Sequence, residues 1–178
     1  MIGGKDVMFN NKVVDFNMKC VDKFVVNFLV VILNIFAIMS MLAVFSVPLV
    51  MALLPQYLKN LAHISIKLAS FLEINLILIL SIIAELKNIV GRIKKDKVFL
   101  YENADGFVKI GIYVFLFGVV RQINYIVNGH YGMLFRFDND GNLDIDGFIF
   151  IIVACVSFVI SEVLRKAVKI KNENDLTI

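Results

Sequence analysis

No charged side chain occurs between Phe24 and Leu58. An apolar run beyond about 18 residues excludes an ordinary soluble domain, because lipid leaves a backbone no partner but itself and so selects a spanning helix. Cysteine is scarce: Cys20 and Cys155 stand far apart without CxxC spacing, which rules out a disulfide framework and reads as two reduced thiols. There is no HExxH, GxSxG, SxxK or phosphate-cradling glycine loop, so no catalytic residue, cofactor or metal is assigned and the chain is not read as an enzyme. The net charge of +3 carries no signal for direct nucleic-acid binding.

What the chain does have is apolar surface. Hydrophobic residues make up 60% of it and the mean hydropathy is +0.84, against roughly 45–50% apolar residues in soluble domains. Charged residues, only 19%, collect between the apolar segments. The expected fold is an all-α, polytopic integral membrane protein with four transmembrane helices, a single membrane domain over residues 24–178 after a lead-in of residues 1–23.

That lead-in mixes Lys5, Lys12, Lys19 and Lys23 with Asp6, Asp15 and Asp22, which suits a cytoplasmic segment rather than a cleavable leader. Its apolar residues fit neither the helical nor the strand period, leaving an interfacial helix and a loose tail as alternatives. The first span is expected over about residues 24–46, ending near Pro48, with a partly apolar interfacial segment from Leu49 to Lys67. The remaining spans are expected over about 68–89, 107–127 and 148–167, followed by a short tail, 168–178. Asn103 reads as an N-cap before the third span, with Asp105 in its first turn.

Thirteen of the eighteen Lys and Arg residues fall in the lead-in, the 87–97 link and the C-terminal end from Arg165 to Lys171 (Arg165, Lys166, Lys169 and Lys171). The positive-inside bias therefore places both termini in the cytoplasm, in a multi-pass protein of the cell membrane. The run Arg92-Ile93-Lys94-Lys95-Asp96-Lys97 is that signal, with the lipid bilayer and its anionic head groups as the default partner. Gly111 and Gly118 share one face of the third span, and Ala154, Ser157 and Ser161 one face of the fourth; these two faces are expected to meet.

Ionisable groups in spans cost about 2.5–3.5 kcal/mol each even on a lenient scale, so they find partners. Depth predicts an outer pair, Glu73 with Arg121, and an inner cluster of Lys109 with Glu85 or Glu162. All lie near a boundary, which favours clamps that fix helix register over an ion path. Asn27 and Asn34, seven apart, suit interhelical hydrogen bonding.

The outer loop from Asp138 to Gly147 resembles half of a calcium loop. In the frame from Asn142, however, the twelfth position is Val153, where a bidentate Glu is required, and in the frame from Asp138 the required glycine is Leu143. A turn fits better, with Met133 to Phe137 and Leu143 to Ile145 expected as a short β-hairpin. His63 and His130 lack ligand spacing and read as solvated.

Two segments carry a resemblance. Phe99-Leu100-Tyr101-Glu102-Asn103, then Phe107 and Ile110-Gly111, together with the closing Glu173-Asn174-Asp175-Leu176-Thr177-Ile178, resemble the motifs of small bacterial membrane proteins grouped as domain of unknown function 2975. The resemblance runs from about Phe24 to the end, with Phe107 where leucine is usual. It implies a four-helix membrane protein of undetermined activity. Members are often encoded beside a short helix-turn-helix regulator, which implies a cytoplasmic partner of that kind, with the tail from Lys169 to Ile178, which holds the motif residues Asp175, Leu176 and Thr177, as its exposed contact. The expected role is a non-enzymatic sensor or anchor for such a partner. The alternative is a small transporter, channel or immunity protein against membrane-active peptides. Oligomeric state is not legible.

Overall fold

The computed structural model describes residues 3–53, 62–127, 136–137, 143–144 and 146–175. Four long helices account for nearly all of them: α1 (Gly3–Leu53), α2 (Ala62–Ile93), α3 (Tyr101–Val127) and α4 (Asp146–Asp175). Each contains a stretch long and apolar enough to cross a membrane, namely Lys23–Val50, Leu68–Ile93, Tyr101–Val127 and Gly147–Asp175. This is the architecture of a multi-pass membrane protein. Two short strands, β1 (Arg136–Phe137) and β2 (Leu143–Asp144), pair antiparallel before α4, Arg136 opposite Asp144 and Phe137 opposite Leu143. The residues between them, like His130 and most of the acidic loop, lie outside the described residues, as does the rest of the expected hairpin.

Every helix outruns the span expected for it from the sequence. The first span does not end near Pro48: α1 continues through it to Leu53. A proline removes one backbone donor, but ending a helix within hydrocarbon strands several groups, so continuing is the smaller cost. The lead-in from Gly3 is part of the same helix. At the other end of the chain, α4 runs to Asp175 rather than stopping near Ala167, so most of the expected tail is helical.

The helices stand in a row. α1 touches α2, α2 touches α3 and α3 touches α4, with no contact between α1 and α4 among the described residues. Along α1 and α2 the seam is Val26, Val30, Leu33 and Ala37 against Ile79, Ile83, Leu86 and Val90. Its alternating steps of four and three residues match left-handed packing at about 20°. Between α3 and α4 the register is antiparallel, since a Cβ on Gly111 would meet Phe158 and one on Gly118 would meet Phe150. Ala104, Gly111, Ala154, Ser157, Ser161 and Val168 are buried in this seam. The two small-residue faces do meet, and each glycine makes a groove for a phenylalanine.

Outside the seams the surface is inverted relative to a soluble protein, with Phe24 71% and Phe45 72% exposed. Lipid is the solvent that such a surface requires. The alternation of direction brings the start of the α1 span, the α2–α3 turn and the end of α4 to one end of the row. That end carries Lys23, the 92–97 basic run and Arg165 to Lys171.

Candidate functional site at the α2–α3 turn

At its basic end α2 stops by a double backbone closure. The Lys97 amide donates to the Arg92 carbonyl and the Asp96 amide to that of Ile93, each at 3.0 Å. This is the Schellman arrangement, which needs a left-handed residue one place after the cap. Asp96 fills that place with φ of 58°. Glycine would relieve the strain. Asp96→Gly is expected to raise stability by about 0.5 kcal/mol and Asp96→Val to lower it by about 1–2 kcal/mol, read as shifts in thermal unfolding followed by circular dichroism.

The chain then returns into α3 across Asn103, which is 1% exposed. Its amide nitrogen donates to the carbonyls of Lys97 at 2.9 Å and Val98 at 2.7 Å. Two facing carbonyls demand a donor, which fixes the amide's orientation. Asn103 Oδ1 accepts from Arg92 Nη1 at 3.3 Å, and that nitrogen also reaches the Glu102 carbonyl at 3.3 Å. Asn103 is therefore not the N-cap: α3 begins two residues earlier, at Tyr101, and the side chain reaches back to the turn instead of forward to its own helix. Of the other motif residues, Phe99 and Glu102 are exposed and Gly111 is buried beneath Phe158. Asp175 ends α4, while Leu176 and Thr177 lie outside the described residues.

Ion pairs extend this polar end along the row. Lys109 Nζ lies 3.2 Å from Glu85 Oε1, joining α3 to α2. The lysine is 55% exposed, so the pair contributes less than about 1 kcal/mol. Glu162 does not join it. It lies 3.7 Å from Lys166 on its own helix, because it follows the buried Ser161 and points out of the seam. Arg165 Nη2 meets Asp105 Oδ1 at 2.7 Å, tying the end of α4 to the first turn of α3.

The expected outer pair is not formed. Arg121 sits on the α4 side of α3, its guanidinium 5.7 Å from the Phe150 ring centroid and 5.8 Å from that of Tyr125. Glu73 belongs to α2, on the other side of α3. Its Oε2 is buried with no hydrogen-bond partner among the described residues, as is Asn75 Oδ1. Matching depth was the sequence signal for this pair, and depth carries no information about which face of a helix a residue occupies.

Sequence reading missed the part played by Arg92, taken only as one of a basic run, and the Arg165–Asp105 pair. The spacing from the motif asparagine back to the helix end was the available clue, since Asn103 lies within one loop length of Arg92.

No curated protein and no solved structure matches this chain. A family profile described as protein of unknown function, DUF2975, matches residues 54–178, which takes in α2, α3 and α4 and leaves out α1, a narrower span than the resemblance from Phe24. The motif residues Phe99, Glu102, Asn103 and Gly111 all fall within it, and the chain belongs to this DUF2975 family.

Proposed function

We propose that the chain is a non-enzymatic membrane anchor or sensor that presents a rigid helical stem to a cytoplasmic partner, such as a small helix-turn-helix regulator. The observation that carries this reading is the continuation of α4 past the span end expected near Ala167: Lys169 to Asp175 is helical and exposed. The base of the stem is oriented by Val168, buried just before it, and to a lesser degree by the half-exposed Arg165–Asp105 pair. A partner bound there reads the position of α3 and α4 directly. In this reading both termini lie in the cytoplasm of a bacterial cell, as the basic end of the row would under the positive-inside bias.

The test is affinity capture of the full chain from its own membranes, with and without residues 175–178, followed by mass spectrometry. The expected result is one companion protein lost on truncation while the chain stays in the membrane. Retention of every companion would sink the anchor. A reporter fused at Ile178 that is active only outside the cell would overturn the orientation.

A second reading, a small transporter, channel or peptide-immunity protein, is favoured by the unpartnered Glu73 and Asn75 oxygens in α2. Buried polar atoms without partners cost about 1–3 kcal/mol each, so they persist where a transient ligand repays them. The open row encloses no pore among the described residues, so conduction would require several copies. Loss of ion flux or of peptide resistance in Glu73→Ala, with the C-terminal residues intact, would favour this reading over the anchor.

A further inference from the structure

The α1–α2 seam stops at Val26 and Val90, yet α1 continues outward through Lys23 while α2 closes at its Schellman turn and bends away toward α3. A gap opens where the two helices part. It is a cavity of about 490 Å³. Its polar side is formed by Lys23, Asn27, Lys94 and Asp96, and its apolar side includes Val26, Ile93 and Val98. Lys23 is the last charge before the charge-free run that begins at Phe24, so the cavity sits at the boundary between hydrocarbon and head groups.

Neither Lys23 nor Lys94 has an ion-pair partner among the described residues, and both are exposed. The last carbonyls of α2 would ordinarily repel an anion. Here those of Val90, Arg92 and Ile93 are already taken by the amides of Lys94, Lys95, Asp96 and Lys97. Two unpaired ammonium groups thus face one carboxylate across a cavity with an apolar floor. Lipid-facing side chains flank it, including Phe24 and Val25.

We infer that this cavity binds the head group of an anionic phospholipid. Lys23 and Lys94 contact the phosphodiester, Asn27 donates to it, and the acyl chains run down the apolar side toward Val26. Basic pockets between spans at the head-group level have the chemistry that holds such lipids. The inference stands independently of the anchor reading and of the orientation in the membrane. Asp96 is retained in this site because the turn needs a residue tolerant of positive φ, at some cost in charge.

The test uses the full chain in a neutral detergent, titrated with phosphatidylglycerol or phosphatidylcholine, with bound lipid counted by native mass spectrometry. Phosphatidylglycerol is expected to be retained preferentially. Lys23→Gln and Lys94→Gln should each weaken it by about fivefold. Asp96→Asn keeps the left-handed turn and should strengthen binding, a gain that misfolding cannot imitate. Lys171→Gln, exposed on α4 away from the cavity, should change nothing. Equal retention of the two lipids, an equal loss in Lys171→Gln, or an unchanged affinity in Asp96→Asn would each overturn the site. Displacement of the lipid by millimolar inorganic phosphate would assign the cavity to a soluble anion and overturn the lipid as well.

Discussion

Asn103→Ala is expected to loosen the whole basic end of the row. The variant leaves the Lys97 and Val98 carbonyls without the donor that now reaches them at 2.9 and 2.7 Å, and leaves Arg92 without its acceptor on this side chain. Each buried polar group stranded in this way costs about 1–3 kcal/mol; with the turn partly exposed, the sum is about 2–4 kcal/mol. Thermal unfolding in detergent, followed by circular dichroism, is the measurement. Asn103→Asp sharpens it. The carboxylate has nearly the same volume but no donor, so it turns an acceptor toward two acceptors while keeping a partner in Arg92. It should remain well below the native protein. If Asn103→Asp unfolds with the native midpoint, the amide donor is not what closes the turn.

The same residue shows where sequence reading succeeds and fails. The four spans and their centres follow from hydropathy, because the cost of polar groups in lipid dominates everything else at those positions. Their ends do not follow, since hydropathy reports the solvent and not the backbone. The segments Tyr101 to Gly106 and Val168 to Asp175 are polar enough to leave lipid but remain helical, tied down by Asn103 and by Arg165. Side-chain pairing was legible only where two conditions coincided. Glu85 and Lys109 match in depth and also lie on facing sides, at 3.2 Å. Glu73 and Arg121 match in depth alone, and α3 stands between the faces they occupy. The row itself, with α1 and α4 apart, depends on how seams are angled around each helix, which composition does not encode.

Those seams make Gly118→Ala the second large expected effect. A Cβ at this position would lie 2.8 Å from Phe150 Cβ. That carbon is fixed by the α4 backbone, so no rotation of the ring relieves the overlap and the two helices must separate. The ring has little room of its own, being packed edge-on against Phe117 at 5.0 Å with Arg121 across it. The cost is about 1–3 kcal/mol from overpacking, less a gain approaching 1 kcal/mol from replacing glycine in a helix. At Gly111 the balance differs. The nearest atom there is the Phe158 Cε1 at 2.7 Å, at the far side of a ring that is 40% exposed and can swing into lipid. Gly111→Ala should therefore be close to neutral. The decisive comparison is rescue: Phe158→Ala removes every atom that crowds position 111, whereas Phe150→Ala keeps the Cβ that crowds position 118 and only Phe150→Gly removes it. Unfolding midpoints in detergent should show Gly118→Ala rescued by Phe150→Gly and not by Phe150→Ala. Equal rescue by both would mean that the ring, not the backbone-fixed carbon, sets the distance between α3 and α4.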